Sequence, residues 1–162
     1  MKKDKEDYER WQSAGEREIE AGESLFDAAE RLCRFLHQNL KHFSWVGVYW
    51  VESFAMSGGS EEALVLGPYC GSPTEHKCIA FGAGVCGTAA RLRLPIVVPD
   101  VGRVENYLCC DLSVRSEMVV PIFAPEFVGL LDVDSPVEDA FCAYDIRLLT
   151  NLCRRLGEKA QS

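Results

Sequence analysis

The stretch 117-EMVVPIFAPEFVGLLDVD-134 decides the fold. Its halves, 117-EMVVPIFA-124 and 127-FVGLLDVD-134, are apolar, and only Pro125 and Glu126 separate them. That pattern reads as a β-hairpin. Asp132 and Asp134 alternate along the second strand, so both point to one face. The rest of that strand is apolar, which makes two like-facing acids at its end costly unless they are used. Glu117 opens the partner strand, and pairing across the turn brings all three carboxyls together. Crowded carboxyls raise one another's pKa, and one of them can stay protonated as a proton donor. A plainer reading has Asp134 and Ser135 forming a turn or cap and Asp132 facing solvent. The strand alone does not choose between them.

Working outward, the other elements are short. The segment 95-PIVVP-99 is an edge-like strand because prolines bound it. The segment 44-SWVGVYWV-51 is rich in β-branched and aromatic residues, and with 63-ALVLGPYC-70 it reads as a hairpin across a loop holding a Gly-Gly turn. A short strand covers 77-KCIAF-81, and 82-GAGVCGTAARL-92 is a tight glycine turn feeding a short helix. Apolar residues recur at helical spacing in 24-SLFDAAERLCRFLHQNL-40, with Ser24 placed to cap it, and in 143-AYDIRLLTNLCRRLGEK-159. Cys33 and Cys153 fall on those stripes and read as core. The first twenty or so residues are strongly charged and read as a partly exposed helical arm, interrupted near Gly15. Two or three helices around six short strands, joined mainly by hairpins without βαβ alternation, give an α+β fold with a largely antiparallel sheet.

A net charge of −8 disfavours nucleic acid as a partner. No apolar run reaches the length of a membrane span, and the start has no apolar core for a secretory signal, so a cytoplasmic protein is expected. Eight cysteines in a reducing compartment point to packing, metal or redox roles. Zinc is a weak reading, because no C-x-x-C occurs and His37, His42 and His76 form no ligand pattern. The glycine run 82-GAGVCG-87 lacks the spacing of a dinucleotide fingerprint and the Lys-Ser/Thr of a P-loop.

Two regions could carry chemistry besides the acids. In 106-NYLCCDLSVRSEM-118, Cys109 and Cys110 lie in a long excursion beside Asp111. Adjacent residues of an extended chain point to opposite sides, so at most one thiol faces a given pocket. Asp111 disfavours a thiolate, and Arg115 or loop N–H groups are candidates to offset it. Passive loop thiols are an equally good reading of that stretch. Cys86, at the start of the short helix, could gain from exposed N–H groups or simply pack under the turn. Trp45 and Tyr49 share one strand face with Gly47 between them, which leaves either an aromatic-walled slot or an ordinary core face.

The segments 45-WVGVY-49, 65-VLGPY-69, 84-GVCGTA-89, 110-CD-111 with 116-SE-117, and 129-GLLDVDS-135 stand in an order that resembles the GAF-domain free methionine-(R)-sulfoxide reductases. The resemblance implies a GAF fold, with a six-stranded mainly antiparallel sheet flanked by N- and C-terminal helices, as a single GAF domain over residues 23–160 behind a charged arm at 1–22. It implies a homodimer and a pocket closed by loops. Cys110 matches the catalytic cysteine, Cys86 a second family cysteine, and Glu117, Asp132 and Asp134 the acids that hold the sulfoxide oxygen. Trp45 and Tyr49 match the aromatic wall around the substrate's methyl end. The family's further, resolving cysteine falls here on His76. Cys78, two residues on, keeps the same face if the segment is extended, and Cys70 is a second possibility. The family commonly has a histidine near the catalytic cysteine, and 100-DVGRVENYLCCD-111 has none.

The implied chemistry is reduction of free methionine-(R)-sulfoxide. The acids protonate the leaving oxygen, Cys110 attacks sulfur and becomes a sulfenic acid, and Cys78 or Cys86 condenses with it to a disulfide that a thioredoxin-like dithiol reduces. No metal or bound organic cofactor is needed. The alternatives are a GAF module sensing a small ligand, and a reductase relative that has lost turnover.

Overall fold

The hairpin forms where the sequence places it. In the computed structural model, which describes residues 3–109 and 111–162, strands β5 (Ser116–Phe123) and β6 (Phe127–Ser135) pair antiparallel. Glu117 lies opposite Asp134 and Val119 opposite Asp132. β6 pairs in turn with β1 (Trp45–Val51), and β1 with β2 (Ala63–Cys70). Three-residue strands close the two edges: β3 (Cys78–Ala80) against β2, and β4 (Ile96–Val98) against β5. The six strands run in the order β3-β2-β1-β6-β5-β4, each antiparallel to its neighbour.

Both faces of the central strands are covered, which is why β1, β5 and β6 are apolar almost throughout although the sheet is antiparallel. One face, with Val46, Val48, Trp50, Met118, Val120 and Val133, is covered by three helices, of which α2 and α5 pack on the strands and α1 lies across α2 and α5. These are α1 (Lys5–Ala21), α2 (Leu25–Asn39) and the C-terminal α5 (Ala143–Lys159). Ser24 caps α2 through the Asp27 N–H at 3.1 Å. A single-turn helix, α3 (Glu52–Ala55), opens the β1–β2 loop, and α4 (Gly84–Leu92) follows the glycine turn. The described residues thus hold five α-helices, with a 3₁₀ turn at Val101–Arg103, rather than two or three helices.

The expected break near Gly15 is absent, and α1 runs through it without interruption. Gly15 is buried where α1 passes α5, and a Cβ there would stand 2.9 Å from the Leu152 Cδ2. The glycine therefore serves close helix approach rather than a turn. Around it, Asp4 and Asp7 form a capping box at the start of α1, and Tyr8 and Ile19 are buried. Among the described residues no helix is long and apolar enough to cross a membrane.

Candidate active site

The face of the sheet away from α1, α2 and α5 carries the polar residues. Strand register puts them side by side: Trp45 opposite Asp134, Gly47 opposite Asp132, and Glu117 opposite Asp134. Trp45, Tyr49, Glu117, Asp132 and Asp134 are all buried there, among Val85, Val119 and Leu130. Asp132 and Asp134 share one face and neither points to solvent. Cys86 joins them from the first turn of α4, and its Sγ donates to the Glu117 Oε1 at 3.8 Å.

Burial governs the protonation of this cluster. It raises Asp132 to about 6, against the opposing bonds from Glu117 and Cys86. It also raises Asp134 well above the ordinary carboxyl value, and the charges of Asp132 and Asp111 add to the shift. The Cys86 thiol is pushed up too, first by burial and then by the Asp132, Glu117 and Asp134 charges. Whatever the start of α4 contributes, it does not make Cys86 a ready thiolate. Among the described residues the Asp132 Oδ1 has no hydrogen-bond partner. One sulfur and two carboxylate oxygens, from Cys86, Glu117 and Asp132, lie within 4.8 Å of one another, close enough to share a metal ion.

Two cavities adjoin the acids. The first, of about 20 Å³, is lined by Tyr49, His76, Cys86, Leu108, Glu117 and Asp132 among others. The second, of about 140 Å³, is lined by Trp45, Ser72, Asp111, Ser113 and Asp134 among others. Neighbouring acids on one strand therefore serve different spaces. The aromatic slot expected over Gly47 is filled by the indole itself: a Cβ at that position would lie 2.2 Å from the Trp45 Cη2. Trp45 stacks on Tyr69 with centroids 5.5 Å apart and donates from Nε1 to the Ser72 carbonyl at 3.0 Å. The Tyr49 hydroxyl donates to the His76 carbonyl at 2.8 Å.

Cys110 lies outside the described residues. On either side of it, Leu108 lines the first cavity and Asp111 the second. Leu108 crosses directly over Gly84, whose φ is +62° and where a Cβ would meet the Leu108 Cγ at 2.8 Å. Two requirements thus select glycine at one position, a left-handed backbone and the close passage of a side chain. Asp111 turns to the Ser113 N–H at 2.8 Å, and that bond holds its carboxyl below the usual range. Arg115 pairs with Glu138 on the surface.

The structure separates the remaining thiols from the acids. Cys78 is exposed on β3, while its neighbour Ile79 lines the first cavity. Bends at Glu75 and Lys77 interrupt the two-residue alternation, so Cys78 does not inherit the face of His76. Cys109 is exposed and Cys70 half-buried. His76 itself borders the first cavity, and its Nε2 lies 3.2 Å from the Cys109 carbonyl. A histidine thus reaches the cysteine loop from another segment. Sequence reasoning missed Leu108, Tyr69 and Ser72 as neighbours of the site. The one available signal was His76, the position on which the family resemblance places a resolving cysteine.

A buried face of acids, aromatics and a thiol on a six-stranded antiparallel sheet defines a class, and comparison with known proteins agrees. The GAF domain family model matches residues 23–158, and the chain belongs to that family. The chain is 36% identical over 126 residues to Protein YtsP of Bacillus subtilis, covering 77% of this chain and 72% of that protein. It is 32% identical over 115 residues to the free methionine-R-sulfoxide reductase of Saccharomyces cerevisiae, covering 70% of this chain and 63% of that protein. The X-ray structure of free methionine-R-sulfoxide reductase from Neisseria meningitidis in complex with its substrate superposes with a TM-score of 0.87 at 26% identity, over 99% of this chain and 93% of that one.

Proposed function

We propose that this protein reduces free methionine-(R)-sulfoxide to methionine. The observation that carries the reading is the shared face of Glu117, Asp132 and Asp134, buried beside a thiol, with two of the acids held toward their protonated forms. A sulfoxide sulfur accepts a thiol's electrons only as its oxygen is protonated, and buried carboxyls that keep protons near neutral pH suit that task. Family membership and the sulfoxide reductases among the relatives support the same chemistry.

In this reading Cys110 attacks the sulfur, methionine departs, and the oxygen stays on Cys110 as a sulfenic acid. A second thiol then condenses with it, expelling water and forming a disulfide. Cys86 suits that step better than Cys78, because it already lies among the acids while Cys78 faces solvent. A thioredoxin-like dithiol reduces the disulfide and closes the cycle. Trp45 and Tyr49 flank the substrate's methyl end. The first cavity holds about 20 Å³, so an amino-acid substrate requires Leu108 to shift and space to open toward the second cavity. The working unit is taken to be a homodimer in a reducing cytoplasm.

The test is turnover of free methionine-(R)-sulfoxide with thioredoxin, thioredoxin reductase and NADPH, with the (S) epimer as control. Cys110→Ser is expected to abolish NADPH consumption, and mass mapping after one turnover to find Cys86 joined to Cys110. Undiminished turnover by Cys110→Ser, or none by the native chain, would overturn the reading.

A further inference from the structure

The first cavity has the composition of a cation site. Cys86, Glu117 and Asp132 come from α4, β5 and β6 and offer a sulfur and two carboxylate oxygens within 4.8 Å of one another. All three side chains are buried, and Asp132, 6% exposed, has no hydrogen-bond partner for Oδ1 among the described residues. A buried oxygen of that kind lacks the partner that native interiors almost always supply. The cavity these residues line measures about 20 Å³, room for one water-sized group.

We propose that Cys86, Glu117 and Asp132 form a binding site for a thiophilic divalent cation of the Zn²⁺ type. Zinc takes sulfur and oxygen donors tetrahedrally, and three protein ligands leave a fourth position for water or another small oxygen donor. The thiol argues against Mg²⁺ and Ca²⁺, which prefer all-oxygen shells. Binding exchanges protons for the metal: Zn²⁺ displaces the proton of the Cys86 thiol and that of any protonated carboxyl, and no electrons move. The cation therefore binds more tightly as pH rises. It would occupy the place assigned above to the sulfoxide oxygen, so it acts as a reversible inhibitor and not as a cofactor. Only this inhibition rests on the functional reading; the binding stands on geometry alone.

The test uses the reduced, metal-free chain with Cys70, Cys78, Cys109, Cys110 and Cys142 replaced by Ser, which removes the accessible competing thiols and leaves Cys86 with the buried Cys33 and Cys153. Co²⁺ is titrated as the spectroscopic probe and then displaced with Zn²⁺. The expected result is one Co²⁺ per chain with tetrahedral bands and a sulfur-to-cobalt charge-transfer band. Adding Cys86→Ser should remove that band and weaken Zn²⁺ binding by more than roughly 100-fold, beyond the loss typical of an outer partner. Adding Asp132→Asn should keep the band and weaken binding by at least roughly 10-fold. A band that survives Cys86→Ser, or only weak octahedral binding, overturns the site. If Cys86→Ser fails to fold by circular dichroism, unchanged affinity in the Asp132→Asn variant overturns it instead. Zn²⁺ is expected to inhibit the native enzyme competitively. Tight Zn²⁺ binding without inhibition would overturn the placement of the sulfoxide oxygen while leaving the metal site intact.

Discussion

Asp145 and Asp132 are both buried carboxylates, one on the helical side of the sheet and one on the pocket side. Asp145, only 1% exposed, accepts from the Tyr8 hydroxyl at 2.9 Å, the Cys142 N–H at 2.9 Å and the His42 Nε2 at 3.0 Å. Burial alone would raise its pKa, yet the bonds from His42, Cys142 and Tyr8 outweigh burial and lower it. Asp132 is likewise shut off from water, but among the described residues one of its oxygens is unmatched, and its pKa rises to about 6. Asp132 sits deeper in the protein and has fewer donors. Where donors surround the acid it is a fastener, joining α1, the turn between α2 and β1, and α5. Where they are withheld it is a reagent.

The comparison breaks most visibly in turnover. Asp132→Asn, which keeps the shape but cannot trade the proton, is expected to lower kcat/KM between about 100- and 10,000-fold. Its melting temperature at pH 7 should stay level or rise, because an unfavourably buried charge is gone. Asp145→Asn should do the reverse. It is expected to cost about 3 kcal/mol, because the amide keeps one acceptor oxygen for three donors, sets an NH2 against the Cys142 N–H or the His42 and Tyr8 donors, and removes the charge facing His42; the melting temperature should fall by roughly 10 °C. Its turnover per folded molecule should remain within a few-fold of native. A thermal melt paired with the NADPH assay reads both variants.

The smallest effect lies in the pH dependence. A carboxyl raised from about 4 to about 6 on folding stabilises the native state below its unfolded value, and that contribution is lost as pH climbs through about 6. Native protein should therefore lose about 2 kcal/mol between pH 4 and pH 7 that Asp132→Asn does not lose. Asp145, depressed on folding, works with the opposite sign: its contribution is present above the ordinary carboxylate range and disappears as pH falls through its lowered value. Urea midpoints of both variants across this range separate the two acids. Parallel curves for native protein and Asp132→Asn would contradict the difference drawn between them.

What the sequence revealed follows from the range of its signals. Period-two and period-3.6 patterns are local, so β5, β6 and α5 stand within a residue or two of where alternation and the Ile146–Leu149–Leu152–Cys153–Leu156 stripe place them. The common face of Glu117, Asp132 and Asp134 was legible for the same reason, since it needs only parity and a two-residue turn. The Tyr8–His42–Asp145 cluster was not, because Asp145 stands more than a hundred residues along the chain from both of its partners and no spacing joins them. Gly15 was misread because a glycine that breaks a helix and a glycine that lets two helices touch look alike in sequence. Cys78 was misread because parity fails across a bend, and the bends at Glu75 and Lys77 leave no strong signature. Trp45 lay on the expected face, yet only its rotamer shows that it fills the space Gly47 opens.

The two outermost strands, three residues each, have a consequence for how copies of this chain can meet. Pro95 and Pro99 bracket one of them and supply no amide hydrogens, so that rim offers few free main-chain groups to a passing extended peptide. A foreign strand docking there would find too short a ladder to climb. Fibrillar stacking through either rim is thereby discouraged, and any lasting association of copies falls to side-chain surfaces instead.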